Sequence, residues 1–279
     1  MPAASDRWTD LKRDAATGIE TLRAHFTGHA YDPHDHDEMA VGVTEQGVQT
    51  FRCRKRLNAS TPGHAVLIEP GETHDGEARD AAGFTYAMVY LPTAWLAAET
   101  DALAADRRAA RTIGFRHTVS DDTVLARAIA RTFAMLHDGE ARLGRDAALT
   151  GLVAALAGHA APAPARRSPR PHPVARRARE ALDRRMADDI GLDDLAKAAG
   201  ADRFRLTRLF SEAYERSPHA YLVQLRLKAA RRQLAAGETP AATAAACGFA
   251  DQSHLGRWFR RAYGMTPAAY RRICTNLPD

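Results

Sequence analysis

The sequence repeats itself at one constant offset. Moving it by 49 positions lays Leu206 on Leu255, Arg208 on Arg257, Phe210 on Phe259, Ala213 on Ala262, Tyr214 on Tyr263, Pro218 on Pro267, Ala220 on Ala269 and Tyr221 on Tyr270. A repeat that keeps apolar and polar positions together marks two copies of one supersecondary unit. Alanine richness alone does not hold Arg, Phe, Tyr and Pro in register.

Each copy reads as a helix-turn-helix. After Asp251, the residues Leu255, Phe259 and Ala262 recur at helical spacing, while Gln252, Ser253, Gly256, Arg257, Arg260 and Arg261 fill the other positions. The result is a core stripe backed by a reading face. Gly256 in mid-helix costs about 1 kcal/mol relative to Ala, and close approach of a large partner is a reason that fits its polar neighbours. The basic residues point to DNA as that partner. In the upstream copy Gly191 starts a short helix with Asp193 and Asp194 in its first turn, Leu192, Leu195, Ala196 and Ala199 form its stripe, and Gly200 ends it. The next helix turns Leu206, Leu209, Phe210 and Ala213 inward and leaves Arg203, Phe204, Thr207 and Arg208 towards the outside or the rim. Ser217-Pro218, Thr239-Pro240 and Thr266-Pro267 each pair an N-cap with Pro at the first helical position, and Gly248 supplies the second turn. Between the copies a helix from Pro218 to about Ala235 spans roughly 27 Å, near the ~34 Å between successive major-groove faces on one side of B-DNA.

Residues 190 to 272 resemble the DNA-binding domain of the AraC/XylS family of bacterial transcription regulators. The resemblance rests on Ala244-Ala245-Ala246-Cys247-Gly248-Phe249, Gln252-Ser253-His254, Phe259, Gly264 and Thr266-Pro267. It implies a seven-helix unit with two helix-turn-helix motifs joined by a linker helix. It also implies base-reading positions at Arg203, Phe204, Thr207 and Arg208 in the first motif and at Gln252, Ser253, Gly256 and Arg257 in the second. Glu215 departs from the family at a helix end where Gly is usual, and Thr243 departs where Ile is usual.

With 279 residues the chain exceeds what one core commonly organises, so two domains are expected. Charge divides the same way: 22 Lys/Arg and 12 Asp/Glu from Arg166 onward give +10, and 17 and 22 before it give −5. A basic module beside an acidic one suits a DNA-binding unit with a separate sensor. Cys53, Cys247 and Cys274 show neither disulfide nor metal-ligand spacing, and Cys247, between Ala246 and Gly248, reads as a small buried residue. The charged N-terminus lacks an apolar signal core and no run of about 18 apolar residues occurs, so a cytoplasmic protein with no membrane partner is expected.

From Gly18 to about Pro92 the punctuation is that of antiparallel β structure. Met39, Val41 and Val43 alternate, Glu45-Gln46-Gly47 reads as a turn, and Val48, Thr50 and Phe51 continue as a strand. Pro62-Gly63-His64 turns, Ala65 to Ile68 is a short apolar strand, Glu69-Pro70-Gly71 turns again, and Phe84 to Leu91 closes the set. Short strands at this spacing suggest a small barrel or jelly roll. His34-x-His36 on a strand places two imidazoles on one face, and His74 after a Pro-Gly turn can meet them inside. Residues 18 to 92 thus look like the cupin-type sensor domain at the N-terminus of many AraC-family regulators. Ala40 stands where a cupin's Glu ligand would sit, and Pro70-Gly71 are joined where a residue normally intervenes. Three roles stay open for the histidines: an effector pocket without metal, structural hydrogen bonds, or a metal site, the last being what catalysis would require.

Beyond Thr93 the pattern becomes helical, with Leu125, Ile129, Phe133 and Leu136, then Leu149, Leu152, Val153 and Leu156, as helices that cover the barrel or also form a dimer interface. Residues 161–173 read as a Pro-rich linker. The expectation is an α+β chain, with a cupin-like β-barrel and its helices in residues 1–160 and an all-α double helix-turn-helix domain in residues 174–275. It is read as a sequence-specific transcription regulator, not an enzyme and without a cofactor or metal, whose partners are double-stranded DNA, a small-molecule effector, a second copy of itself and, if it activates, RNA polymerase. Effector contact falls to His34, His36 and His74. Base contact falls first to Arg208 and Arg257, since Arg bonds a guanine edge twice, then to Gln252, Thr207 and Ser253. Arg203, Arg260 and Arg261 are assigned to phosphates. Two other classes fit less of the sequence: a metal-dependent cupin enzyme fused to a DNA-binding domain, and a DNA-architectural protein.

Overall fold

The computed structural model describes residues 7–107, 113–159 and 171–275, and the chain divides into two compact units, residues 1–165 and 166–279. In the first unit nine strands precede any helix: β1 Trp8–Arg13, β2 Glu20–Phe26, β3 His29–His34, β4 Met39–Gly47, β5 Gln49–Cys53, β6 Arg56–Ser60, β7 Ala65–Ile68, β8 His74–Ala78 and β9 Phe84–Leu91. Then come α1 Thr93–Arg107, a short β10 Val119–Ser120, α2 Thr123–His137 and α3 Arg142–His159. The strands make two antiparallel sheets, ordered β1-β2-β9-β4-β7-β10 and β3-β8-β5-β6. This is the small two-sheet barrel that the turn spacing implied.

Burial explains the strand chemistry. The six-stranded sheet is covered on both sides, so all eight residues of β9 are buried. Met39, Val41 and Val43 of β4, Ala65 and Leu67 of β7, and Ala87, Val89 and Leu91 of β9 pack against Leu125, Ile129 and Phe133 of α2 and Leu149, Leu152, Val153 and Leu156 of α3. The alternate residues, including Ala40, Tyr86, Met88 and Tyr90, turn to the barrel interior. In the four-stranded sheet one face is wet: Gln49, Phe51 and Cys53 of β5 are buried while Arg52 is exposed. Thr44 and Ser60 join the two sheets by a hydroxyl–hydroxyl hydrogen bond of 2.7 Å.

Two expectations need correction here. Glu45-Gln46-Gly47 is not a turn, because β4 continues through it and pairs Gln46 with Thr85 and Gly47 with Phe84. The chain changes sheets only after Gly47, whose φ of 69° and contact with the Gly83 carbonyl exclude a side chain. The sheet also begins earlier than Gly18, since β1 pairs with β2 from Trp8 to Arg13.

The second unit contains, among its described residues, seven helices: α4 Pro173–Arg184, α5 Leu192–Ala199, α6 Arg203–Tyr214, α7 Pro218–Ala235, α8 Pro240–Ala246, α9 Gln252–Tyr263 and α10 Pro267–Thr275. Most of the expected linker, residues 161–170, lies outside the described residues. Its last residue, Pro173, already opens α4 behind the N-cap His172. Val174, Ala178 and Leu182 of α4, Leu195 and Ala199 of α5, Leu206 and Phe210 of α6 and Leu222 of α7 share one core. Leu209, expected inside, is half-buried at the edge of this core. Leu234, Ala244, Cys247, Phe249, Leu255, Phe259 and Tyr270 are buried in the second half.

Cap chemistry sets the helix ends. Ser217 accepts from Ala220 N and Thr239 from Ala242 N, each followed by Pro. Gly200 ends α5 and Gly264 ends α9 in the left-handed conformation. Glu215, offset by 49 from Gly264, ends α6 in the same conformation at φ 58°. A non-glycine residue pays about 1–2 kcal/mol there, which is the physical content of the Glu-for-Gly departure. The other departure, Thr243, is fully buried, and its hydroxyl has no hydrogen-bond partner among the described residues. No helix among the described residues is long and apolar enough to cross a membrane.

Candidate DNA-reading faces and the buried histidine cluster

Asp202 and Asp251 are the N-caps of α6 and α9. Asp202 accepts from Phe204 N at 3.0 Å and Arg205 N at 2.9 Å, and Asp251 accepts from His254 N at 2.6 Å. The hydrogen bond from Arg205 N, with that from Phe204 N, holds the Asp202 carboxyl below its ordinary value. These caps were missed in the sequence, although their own separation of 49 residues could have revealed them.

With Leu206 and Phe210 of α6 and Leu255 and Phe259 of α9 fully buried, the opposite faces are fixed outward. On α6, Arg203 and Arg208 are exposed, Phe204 is 75% exposed, and Thr207 is half-buried. Together with Ser211, which sequence reasoning did not assign, and Leu192 of α5, these four residues line one open groove. Leu192, expected in the buried stripe of α5, is instead 43% exposed because it stands in the first turn, ahead of the buried Leu195, Ala196 and Ala199. The Arg203 guanidinium lies 5.2 Å from the Phe204 ring centre. Thr207 donates its hydroxyl to the Arg203 carbonyl at 2.8 Å. Arg208 pairs with Glu212 at 3.2 Å, both well exposed, a pairing weak enough to exchange for a base or phosphate.

On α9, Gln252, Ser253, Arg257, Arg260 and Arg261 are exposed and Gly256 is half-buried. A Cβ placed on Gly256 would meet nothing within 4 Å. Its lack of a side chain is therefore not required by the protein's own packing. The guanidinium of Arg261 lies 5.7 Å over the Trp258 ring, and Trp258 Nε1 donates to His254 Nε2 at 2.9 Å. His254 thus braces the outer side of α9 from within.

In the barrel, His34, His36 and His74 are 6%, 6% and 4% exposed and offer ring nitrogens that all lie within 4.8 Å of one another. β3 and β8 pair His34 directly with His74. Contrary to the reading of both as strand residues, His36 lies just beyond β3. It is held there because Gly71 N, in the Pro-Gly turn, donates to the His36 carbonyl at 2.8 Å. His34 Nδ1 donates to the Asp32 carbonyl at 2.8 Å and His74 Nδ1 to the Glu72 carbonyl at 2.9 Å, which sets both tautomers. Burial pushes the His74 imidazole below its ordinary value, opposed by its bond to the Glu72 carbonyl and by Asp35, Glu72 and Asp75 nearby.

Aromatic residues complete the surroundings, and the sequence reading did not assign them. Tyr90 lies 5.0 Å from His36 and Tyr31 lies 5.0 Å from His34, by ring centres. Register shifts in β3 bring Tyr31 to the same side as His34, three residues away, and Gly76 of β8 leaves room for its ring. The Tyr31 hydroxyl accepts from Gln49 Nε2 at 2.7 Å, and burial pushes its ionisation above the ordinary range. Ala40, opposite Tyr90 in the β4–β9 ladder, gives the cluster no fourth donor.

A barrel with polar groups at its centre, followed by paired helix-turn-helix motifs with exposed basic faces, defines a DNA-binding transcription regulator that carries a ligand-binding domain. Residues 17–153 match the AraC-like ligand binding domain and residues 195–273 match a helix-turn-helix domain. These two domains, in this order, are the organisation of an AraC-type regulator. It is 24% identical over 234 residues to the uncharacterized HTH-type transcriptional regulator YbfI of Bacillus subtilis (strain 168), covering 82% of this chain and 83% of YbfI. In fold it is similar to the apo form of a single-residue variant of ToxT from Vibrio cholerae strain SCE256, with a TM-score of 0.55, 10% identity, and 95% and 100% of the two chains covered. ToxT of Vibrio cholerae O395 gives a TM-score of 0.51 at 8% identity, over 97% and 99% of the chains.

Proposed function

We propose that this regulator reads two adjacent major-groove segments through α6 and α9 and that a small molecule bound in the barrel biases its hold on DNA. The observation that carries the reading is the pair of exposed faces on α6 and α9, equivalent at the 49-residue offset and joined by the 18-residue α7. That helix is about 27 Å long, which suits recognition helices entering neighbouring groove segments.

Arg208 and Arg257 contact guanine edges, Gln252, Thr207 and Ser253 make shorter base contacts, and Phe204 meets an apolar base surface such as a thymine methyl. Gly256 lets α9 seat deeply, while Arg203, Arg260 and Arg261 hold phosphates. In the first unit His34, His36 and His74 form the polar centre of the effector site. An effector acts through its difference in affinity between arrangements of the chain. Residues 1–160 form the sensing and dimerising part, residues 161–172 the linker, and residues 173–275, from the start of α4, the DNA-binding part. Homodimerisation, with RNA polymerase as a further partner at activated promoters, completes the reading.

Selection of bound fragments from genomic DNA by the purified full-length protein, at physiological salt with competitor DNA, tests it. A few enriched sites, each with two recognition blocks about one helical turn apart, are expected. Uniform enrichment would reject sequence-specific reading.

A further inference from the structure

The histidine cluster has the chemistry of a metal site as well as of a polar pocket. We propose that His34, His36 and His74 bind one divalent transition-metal ion of borderline softness, zinc being the reference case, with one coordination position open to an oxygen donor. This rests on the effector-site reading of the barrel and names the chemistry of that site.

Three buried imidazoles are an unusual set to gather for hydrogen bonding alone. With Nδ1 donating to a backbone carbonyl, His34 and His74 each present Nε2 as the lone-pair nitrogen. This outer-shell bond is the one that fixes metal-binding histidines. The Nε2 atoms of His34 and His36 are already 3.2 Å apart. Metal–nitrogen bonds of about 2.0–2.1 Å place neighbouring donors ~3.3 Å apart in a tetrahedron, so a small contraction of the 4.8 Å cluster completes three sides of one. Asp35 and Asp75 add negative charge around His74, while the nearby Glu72 is paired with Arg54 at 2.6 Å. The described residues add no Cys, Asp or Glu to the cluster. Three protein donors with a vacant fourth position describe a site that exchanges a ligand, unlike the closed four-donor site of a structural zinc. An effector with a carboxylate, phenolate or similar oxygen would use that position and be read together with the ion.

The test uses the full-length protein, stripped by chelator and titrated with Co2+ in the absence of DNA. The expected result is one ion per chain, visible ligand-field bands of a near-tetrahedral site, and displacement by Zn2+. His34→Gln, His36→Gln and His74→Gln should each weaken binding more than about 100-fold, beyond the loss typical of an outer-shell partner. The exposed His29→Gln should leave it unchanged. Absence of saturable one-to-one binding, or binding that survives in all three variants, would overturn the proposal. If a variant fails to fold, X-ray absorption of the zinc-loaded native protein decides: three imidazoles and one exchangeable oxygen support the site, and sulfur or fewer imidazoles reject it. A negative result leaves DNA reading untouched, while metal binding without any effect on DNA affinity would count against the effector reading alone.

Discussion

Gly248, in the turn of the second helix-turn-helix, lies directly against the backbone of Ala187: a Cβ there would stand 2.5 Å from the Ala187 carbonyl oxygen. With φ at 75° the position excludes side chains both conformationally and sterically. Gly256, eight residues on, has open space around it. The two glycines thus have opposite reasons. Gly248→Ala should destabilise the protein by more than about 1 kcal/mol in chemical denaturation. Gly256→Ala should stabilise the free protein by up to about 1 kcal/mol yet weaken specific DNA binding. Unchanged binding by Gly256→Ala would mean that α9 does not approach the bases closely.

Arg257 and Arg260 are both exposed on α9 but assigned different work. Arg257→Ala should cost about 1–3 kcal/mol at the specific site and relax preference at one base pair. Arg260→Ala should weaken binding to all sequences alike and reduce the salt slope by about 1. Affinities at several salt concentrations, on specific and random duplexes, separate the two, and a loss by Arg260→Ala confined to the specific site would reverse the assignment.

The orphan hydroxyl of Thr243 makes a third case. Thr243→Val keeps the shape and removes the unsatisfied group, so it should stabilise the protein by about 1–2 kcal/mol. A thermal or urea melt reads this directly, and a destabilised variant would show that the hydroxyl has a partner in solution, such as a bound water.

A pH dependence follows from the Asp202 cap. Its folded-state value lies below the ordinary 3.8, chiefly through the hydrogen bond from Arg205 N. The unfolded chain therefore takes up its proton first as pH falls. The stabilisation is complete above the unfolded value and is lost as pH falls through the folded one. Asp202→Ala should melt below the native protein at neutral pH, and the gap should close under acid. Asp202→Asn keeps an uncharged cap and should lose less of its capping on acidification.

Much of the DNA-binding unit was legible because helices are written in local terms. Leu206, Phe210, Leu255 and Phe259 announced the buried stripes, and Ser217, Thr239 and Thr266 beside their prolines announced helix starts. The Asp202 and Asp251 caps were missed because Asp before a helix is common and neither stands in a Pro pair. In the barrel, the alternation in β9 was readable, but the extension of β4 through Gln46 and Gly47 was not. Glu-Gln-Gly resembles a turn until Phe84 and Thr85 supply its partners.

The sequence by itself determined the repeated architecture of the second unit, the outward faces of α6 and α9, and the presence of a barrel before them. Helical hydrogen bonds close within four residues, so spacing alone carries that information. Only the tertiary structure decided that β3 pairs with β8, that a turn bond from Gly71 holds His36, and that His34, His36 and His74 converge beside Tyr31 and Tyr90. Strand partners are chosen by packing between distant segments. A shift of one residue would turn every side chain to the other face, so no local pattern states which residues finally meet.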